Sequence, residues 1–239
     1  MGRLCLEGKS IYLSYDFDMK IPVSEHGTSI FQAFKNAWEA SIIAYKDRRI
    51  NSERCLQSNL FHFLTIELEP EFQIFVEATV RLPTGESNGM QKKVHIDTVI
   101  CRDDVVYAAI ELKYSPKGQS KKAGIRKDLT SLSHIKNRLR KADKLVIEMP
   151  KHRNSDGDIK TLSVDKSVRL IFGAFLNDSG PRVSTGAFWN EHRPGEGRWA
   201  GKKFAPPRLG VAIAYTDKDG GATASYFGPA FGGEIFTEA

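Results

Sequence analysis

Cysteine is scarce. Cys5, Cys55 and Cys101 are odd in number, far apart and without metal-ligand spacing, which argues against both a disulfide framework and a zinc ribbon. Three buried or partly buried thiols in a reducing compartment is the plainer reading. Long hydrophobic runs are also missing: "RLIFGAFL" (169 to 176) and "LGVAIAY" (209 to 215) fall far short of the roughly 20 residues of a membrane span. The opening stretch has polar and acidic residues where a secretion signal needs continuous apolar chain. Leu6 stands where myristoylation asks for Ser or Thr. A cytoplasmic protein without membrane attachment is therefore expected. The 6 histidines show no metal-binding spacing. There is no P-loop, nucleophile elbow, Rossmann fingerprint, internal repeat or low-complexity tract.

What is present is enough to fold. The 239 residues, 41% of them hydrophobic, can bury a substantial core and suggest a single domain. The net charge of +6 is modest, but its distribution is uneven. Residues 113 to 144 hold eleven Lys or Arg and two acids, whereas 205 to 239 hold two basic residues and four acidic ones. A charge run is usually a solvated helix face; beside the carboxylates described below, a surface that tracks phosphates is the better reading. Lys117, Lys121, Lys122, Arg126 and Lys127 are its candidate contacts.

Periodicity places the elements. Phe31, Phe34, Trp38, Ile42 and Tyr45 predict a helix over 28 to 47. Ser52 or Asn51 can cap a second helix running to about 67, with Leu56, Leu60, Phe63 and Leu64 on its buried side and Glu53 and Gln57 sharing another. "EFQIFVEATVRLP", "KKVHIDTVIC" and "DVVYAAIELKY" read as three successive antiparallel strands, the last two joined by Arg102, Asp103 and Asp104. Ile125, Leu129, Leu132 and Leu139 mark a basic amphipathic helix, and "DKLVIEMP" (143 to 150) a buried strand. "SVRLIFGAFL", "LGVAIAYT" and "GATASYFG" supply further strands. Residues 184 to 210, rich in Gly, Pro, Trp and Arg, read as a long loop whose Trp189, His192, Arg193, Arg198, Trp199, Lys202 and Lys203 suit either nucleic-acid contacts or domain packing.

Charged residues inside the second and third strands stand out. Strict alternation puts Tyr107, Ala109, Glu111 and Lys113 on one face, and His95, Asp97 and Val99 on one face of the neighbouring strand. A sensible hairpin register then sets Asp97 beside Glu111. Two such carboxylates repel, and burying them is unfavourable without a cation or hydrogen bonds. Oxygen-only ligands suit a hard divalent ion, Mg²⁺ in particular. Lys113, protonated, would orient or deprotonate water and stabilise negative charge on a phosphate. The plainer alternative is an ion pair of Asp97 and Glu111 with Lys113.

The stretch "IDTVICRDDVVYAAIELK" resembles the signature of the PD-(D/E)XK nuclease superfamily, the restriction-endonuclease-like fold. Asp97 matches its aspartate, and Glu111 and Lys113 match its acid-x-lysine, with 13 residues between Asp97 and Glu111. Glu53 in "SERCLQ" fits the glutamate often found on the preceding helix, with Gln57 one turn on as a further catalytic candidate. Ile96, not proline, precedes Asp97, a position that varies within the superfamily.

The resemblance implies an α/β core of helix, three-stranded meander, helix and strand across 28 to 150, with 151 to 239 as a β-rich C-terminal extension. It also implies a Mg²⁺-dependent nuclease acting on DNA, with Mn²⁺ as a substitute and Asp97, Glu111 and Glu53 as metal ligands. Pairing of two copies, to cut both strands, is compatible with it. An RNA or structured-DNA nuclease and a catalytically silent nucleic-acid-binding or assembly module of the same fold stay open. His95 and Glu77 are lesser candidates, a packed histidine and an outward strand charge being their plainer readings.

Overall fold

Ser52 takes an extended backbone and its side chain accepts the Cys55 N–H at 3.2 Å, which starts helix α2 (Glu53–Glu67) where the cap was expected. Leu56, Leu60 and Leu64 are buried, one per turn. They face α1 (His26–Lys46), whose Phe34, Trp38 and Ile42 recur at helical spacing in the same core. The computed structural model describes residues 26–83, 91–116, 122–139, 144–148, 159–177 and 209–227.

Seven strands follow: β1 (Gln73–Pro83), β2 (Gln91–Arg102), β3 (Val105–Ser115), β4 (Lys144–Glu148), β5 (Ile159–Asn177), β6 (Leu209–Thr216) and β7 (Ala222–Phe227), with α3 (Lys122–Leu139) between β3 and β4. They form one mixed sheet in the order β3-β2-β1-β4-β5-β6-β7, with a further pairing of β3 to β5. The fold is α/β. Helices α1 and α2 cover one face through Ile100, Ile110, Leu112, Ile171 and Phe175. Helix α3 covers the other, its Ile125, Leu129, Leu132 and Ile135 packing on Val99, Ala109, Phe172 and Val211. No helix among the described residues is long and apolar enough to cross a membrane.

β5 does two jobs. Its first residues run antiparallel to β4, while Arg169–Leu176 run parallel to β3 (Ala108–Ser115) and Leu170–Asn177 parallel to β6. The strand that carries Glu111 and Lys113 therefore lies between β2 and β5, and residues beyond 150 share the sheet of the site. Gly173 makes this layer possible, since a Cβ there would stand 2.8 Å from the Trp38 ring and 3.0 Å from Leu112.

Two departures from strict alternation correct the faces expected from sequence. Between β2 and β3, Ile100 pairs with Ala108 but Cys101 pairs with Val106, which leaves Tyr107 as the extra residue of a β-bulge. Tyr107 consequently packs in the α1/α2 core while Ala109 lies in the α3 core; Tyr107 does not share the face of Glu111 and Lys113. In β2, Ile96 and Val99 both lie in the α3 core although they are three residues apart, and in β1 so do Phe75 and Ala78. The two strands change phase together. The hinge is Glu77, whose φ of 51° is left-handed. His95 is exposed, so His95, Asp97 and Val99 do not form one face either.

Candidate active site

The phase change opens the site. The β1–β2 pairing runs through Val76 with Thr98 and Ala78 with Ile96 but skips Glu77 and Asp97. Gln57, 8% exposed on α2, supplies a substitute: its Nε2 donates to the Asp97 carbonyl at 2.6 Å. On the other side the β2–β3 pairing ends at Thr98 with Ile110. From there the strands fork. The Leu112 N–H, the next to point towards β2, donates to Asp97 Oδ2 at 2.6 Å, and the Tyr114 N–H donates to Glu53 Oε2 at 3.0 Å. Tyr114 Oη donates to the Ile50 carbonyl at 3.0 Å, tying the approach to α2 to the end of β3.

Four carboxylates and one ammonium are spread along this fork, linked through Lys113 and the amides of β3. The Glu111 carboxyl, 4% exposed, lies beside that of Asp97, within reach of a hydrogen bond whenever one of the two carries a proton. Burial, with the charges of Asp97 and Asp128 adding to it, pushes the Glu111 carboxyl well above the usual range. Burial also raises Asp97, against the Leu112 N–H and the bond with Glu111. Lys113 Nζ lies 3.1 Å from Glu53 Oε2 and 3.6 Å from Asp128 Oδ2. Burial disfavours its charge, but Asp128, Glu53 and Asp97 outweigh that and hold its pKa above the ordinary lysine value. The expected alternative of Lys113 ion-paired directly to Asp97 and Glu111 is thus not the arrangement found.

Asp128 belongs to the site although the sequence pattern alone did not single it out. Burial pushes its carboxyl up to about 6; the Lys113 charge opposes this, while those of Asp97 and Glu53 add to it. Among the described residues its buried Oδ2 has no hydrogen-bond partner. The signal was present: Asp128 sits three residues after Ile125 and four before Leu132, an acid on the apolar stripe of α3.

Other candidates fall elsewhere. His95 is exposed, its Nδ1 3.1 Å from Thr79 Oγ1. Glu77 is exposed and paired with Arg54 at 3.4 Å. Lys127 is exposed on α3. Lys117, Lys121, the side chains of Lys122 and Arg126, and Trp189, His192, Arg193, Arg198, Trp199, Lys202 and Lys203 lie outside the described residues.

The donor set suits a hard cation. Among the described residues no three acid, imidazole or thiol groups converge as a ready-made metal cage. The fork instead offers the neighbouring Asp97 and Glu111 carboxyls, with Glu53 and Asp128 flanking Lys113. Mg²⁺ takes one or two carboxylates and completes its shell with water and phosphate, so these residues fit it. Comparison with known proteins returns no family model, no curated protein and no solved structure that matches this chain.

Proposed function

We propose that the protein is a Mg²⁺-dependent nuclease of the PD-(D/E)XK type that hydrolyses DNA phosphodiester bonds. The observation that carries the proposal is the fork itself, where the Lys113 ammonium and the carboxylates of Asp97, Glu111 and Glu53 are gathered at the point where β2 and β3 part. Mg²⁺ held by Asp97 and Glu111, with Glu53 in reach, would polarise the phosphate and stabilise the leaving oxygen. The chain supplies the rest. Gln57 and the Leu112 N–H fix Asp97 from its carbonyl and its carboxylate. Burial raises the Glu111 carboxyl, and a cation beside it would favour its ionised form. Lys113 orients the attacking water and donates to the phosphate. The basic segment from 113 to 144 lies next to this chemistry in sequence and would follow the nucleic-acid backbone.

One observation favours a second reading. Lys113 is already partnered by two carboxylates, as it would be in a nucleic-acid-binding or assembly module that keeps the fold without turnover. Incubation with closed circular, linear and single-stranded DNA, and with RNA, in Mg²⁺ or Mn²⁺ against EDTA separates the two. Metal-dependent opening of the circle is the expected result. Binding without cutting of any substrate would replace the nuclease with the module.

A further inference from the structure

Lys113 has two acidic neighbours of unequal character. The Glu53 side chain is 42% exposed and that of Asp128 14%. Charge pairs near water are weak and easily exchanged, while drier ones interact more strongly. Glu53 also has a second task, accepting the Tyr114 N–H. Among the described residues Asp128 Oδ2 has no hydrogen-bond donor, and the cation within its ion-pairing reach there is the Lys113 ammonium, 3.6 Å away. Helix α3 cannot turn the carboxylate aside, because Ile125, Leu129, Leu132 and Ile135 anchor the same stripe in the core. One turn earlier, a Cβ at Gly124 would stand 3.6 Å from Lys113 Cε, so the lysine stem runs along this helix.

From this geometry we infer that Asp128 is the positioning carboxylate of Lys113. It fixes the ammonium from the α3 side and leaves Glu53 free to turn towards a cation or substrate. The inference rests on the nuclease reading of the fork. Asp128 touches no reacting atom in this role and acts only through the lysine, so removing it should matter only while Lys113 is present.

The test is a double-mutant cycle on the full-length protein, with wild type, Asp128→Asn, Lys113→Met and the double variant, and Asp128→Glu as the conservative control. Single-turnover cleavage of plasmid DNA in Mg²⁺ should slow about 10- to 100-fold in Asp128→Asn, the range of a misplaced reacting group. DNA and Mg²⁺ affinities, measured separately, should stay within about twofold of wild type, since misplacing a group that acts in the transition state leaves binding intact. The double variant should be no slower than Lys113→Met, and Asp128→Glu should recover part of the rate. Equal slowing by Asp128→Asn in the presence and absence of Lys113, or no slowing at all, overturns the inference. Denaturation in EDTA needs no activity. There Asp128→Asn should raise the unfolding midpoint more in Lys113→Met protein than in wild type, because the carboxylate has lost its cation; equal shifts also overturn it. A wild type that binds Mg²⁺ and DNA without cutting defeats the nuclease reading first, and any surviving coupling would then be structural only.

Discussion

Asp97 is used from both ends: its carbonyl accepts from Gln57, and its carboxylate accepts the Leu112 N–H and lies beside Glu111. Asn keeps the shape and an acceptor oxygen, so Asp97→Asn should fold with nearly unchanged thermal stability. It should nonetheless lose cleavage by more than about 100-fold and bind Mg²⁺ measurably less tightly, since changes merely adjacent to metal ligands already cost roughly 10- to 100-fold. Near-normal turnover would remove Asp97 from the site. Asp128 makes a separate prediction about pH. Its folded pKa, about 6, lies above its unfolded value of 3.8, so between these values the folded state holds a proton that the unfolded state has lost. Stability from this group is therefore present below about pH 4 and falls as pH rises to about 6. Asp128→Asn should flatten that part of the stability profile, as urea titrations across the range from about pH 4 to about pH 7 would reveal. Asp97, Glu111, Lys113 and Glu53 were legible because acids and a lysine inside apolar strands, and a glutamate at a helix start, break the expected pattern. Asp128 was not, because it lies inside a segment whose many lysines and arginines draw attention to charge excess rather than to one acid on the apolar stripe.

At the level of elements, helix and strand positions followed from periodicity and capping, as with Ser52, whose hydroxyl starts α2. Faces were harder. The bulge at Tyr107 and the left-handed Glu77 both depend on tertiary pairing, which no local alternation encodes. Glu77 gives a matched pair of tests. Glu77→Val places a β-branched residue at φ 51° and should destabilise by about 1 to 2 kcal/mol, whereas Glu77→Gly should be near neutral because relief of strain offsets glycine's added chain entropy. Equal effects in chemical denaturation would mean that the hinge is not strained. Gly173 is tighter still. With Trp38 2.8 Å and Leu112 3.0 Å from its missing Cβ, Gly173→Ala should lower stability by about 1 to 3 kcal/mol through overpacking. A melting temperature equal to wild type would show that Trp38 can yield.

Across the whole molecule, charge and topology divide the work. The excess of positive charge falls on 113 to 144, immediately after the strand of the fork. Replacing Lys121, Lys122, Arg126 and Lys127 with Ala should weaken DNA binding. It should also reduce the slope of log K against log salt by up to about 3 to 4, roughly 0.9 for each phosphate no longer neutralised. An unchanged slope would return that surface to a solvated helix face. The topology was less legible than the charge: from sequence the strands after 150 are expected as an extension, and the sheet places β5 directly against β3. Parallel partners are distant along the chain, so nothing local announces them.

Beyond the fork, β3 has β5 on one edge and, among the described residues, no strand on the other; its Leu112 and Tyr114 amides are satisfied by the carboxylates of Asp97 and Glu53. The acids assigned to the cation thus also shield two amide protons from solvent. A cation that draws Glu53 away must uncover the Tyr114 proton. Hydrogen exchange at Tyr114 should then quicken on adding Mg²⁺, while the Leu112 amide, whose Asp97 acceptor stays in place, and the Ala108 and Ile110 amides, paired within the sheet, keep their rates. One backbone position thereby becomes a built-in gauge of site occupancy, readable without substrate and in variants that no longer cut.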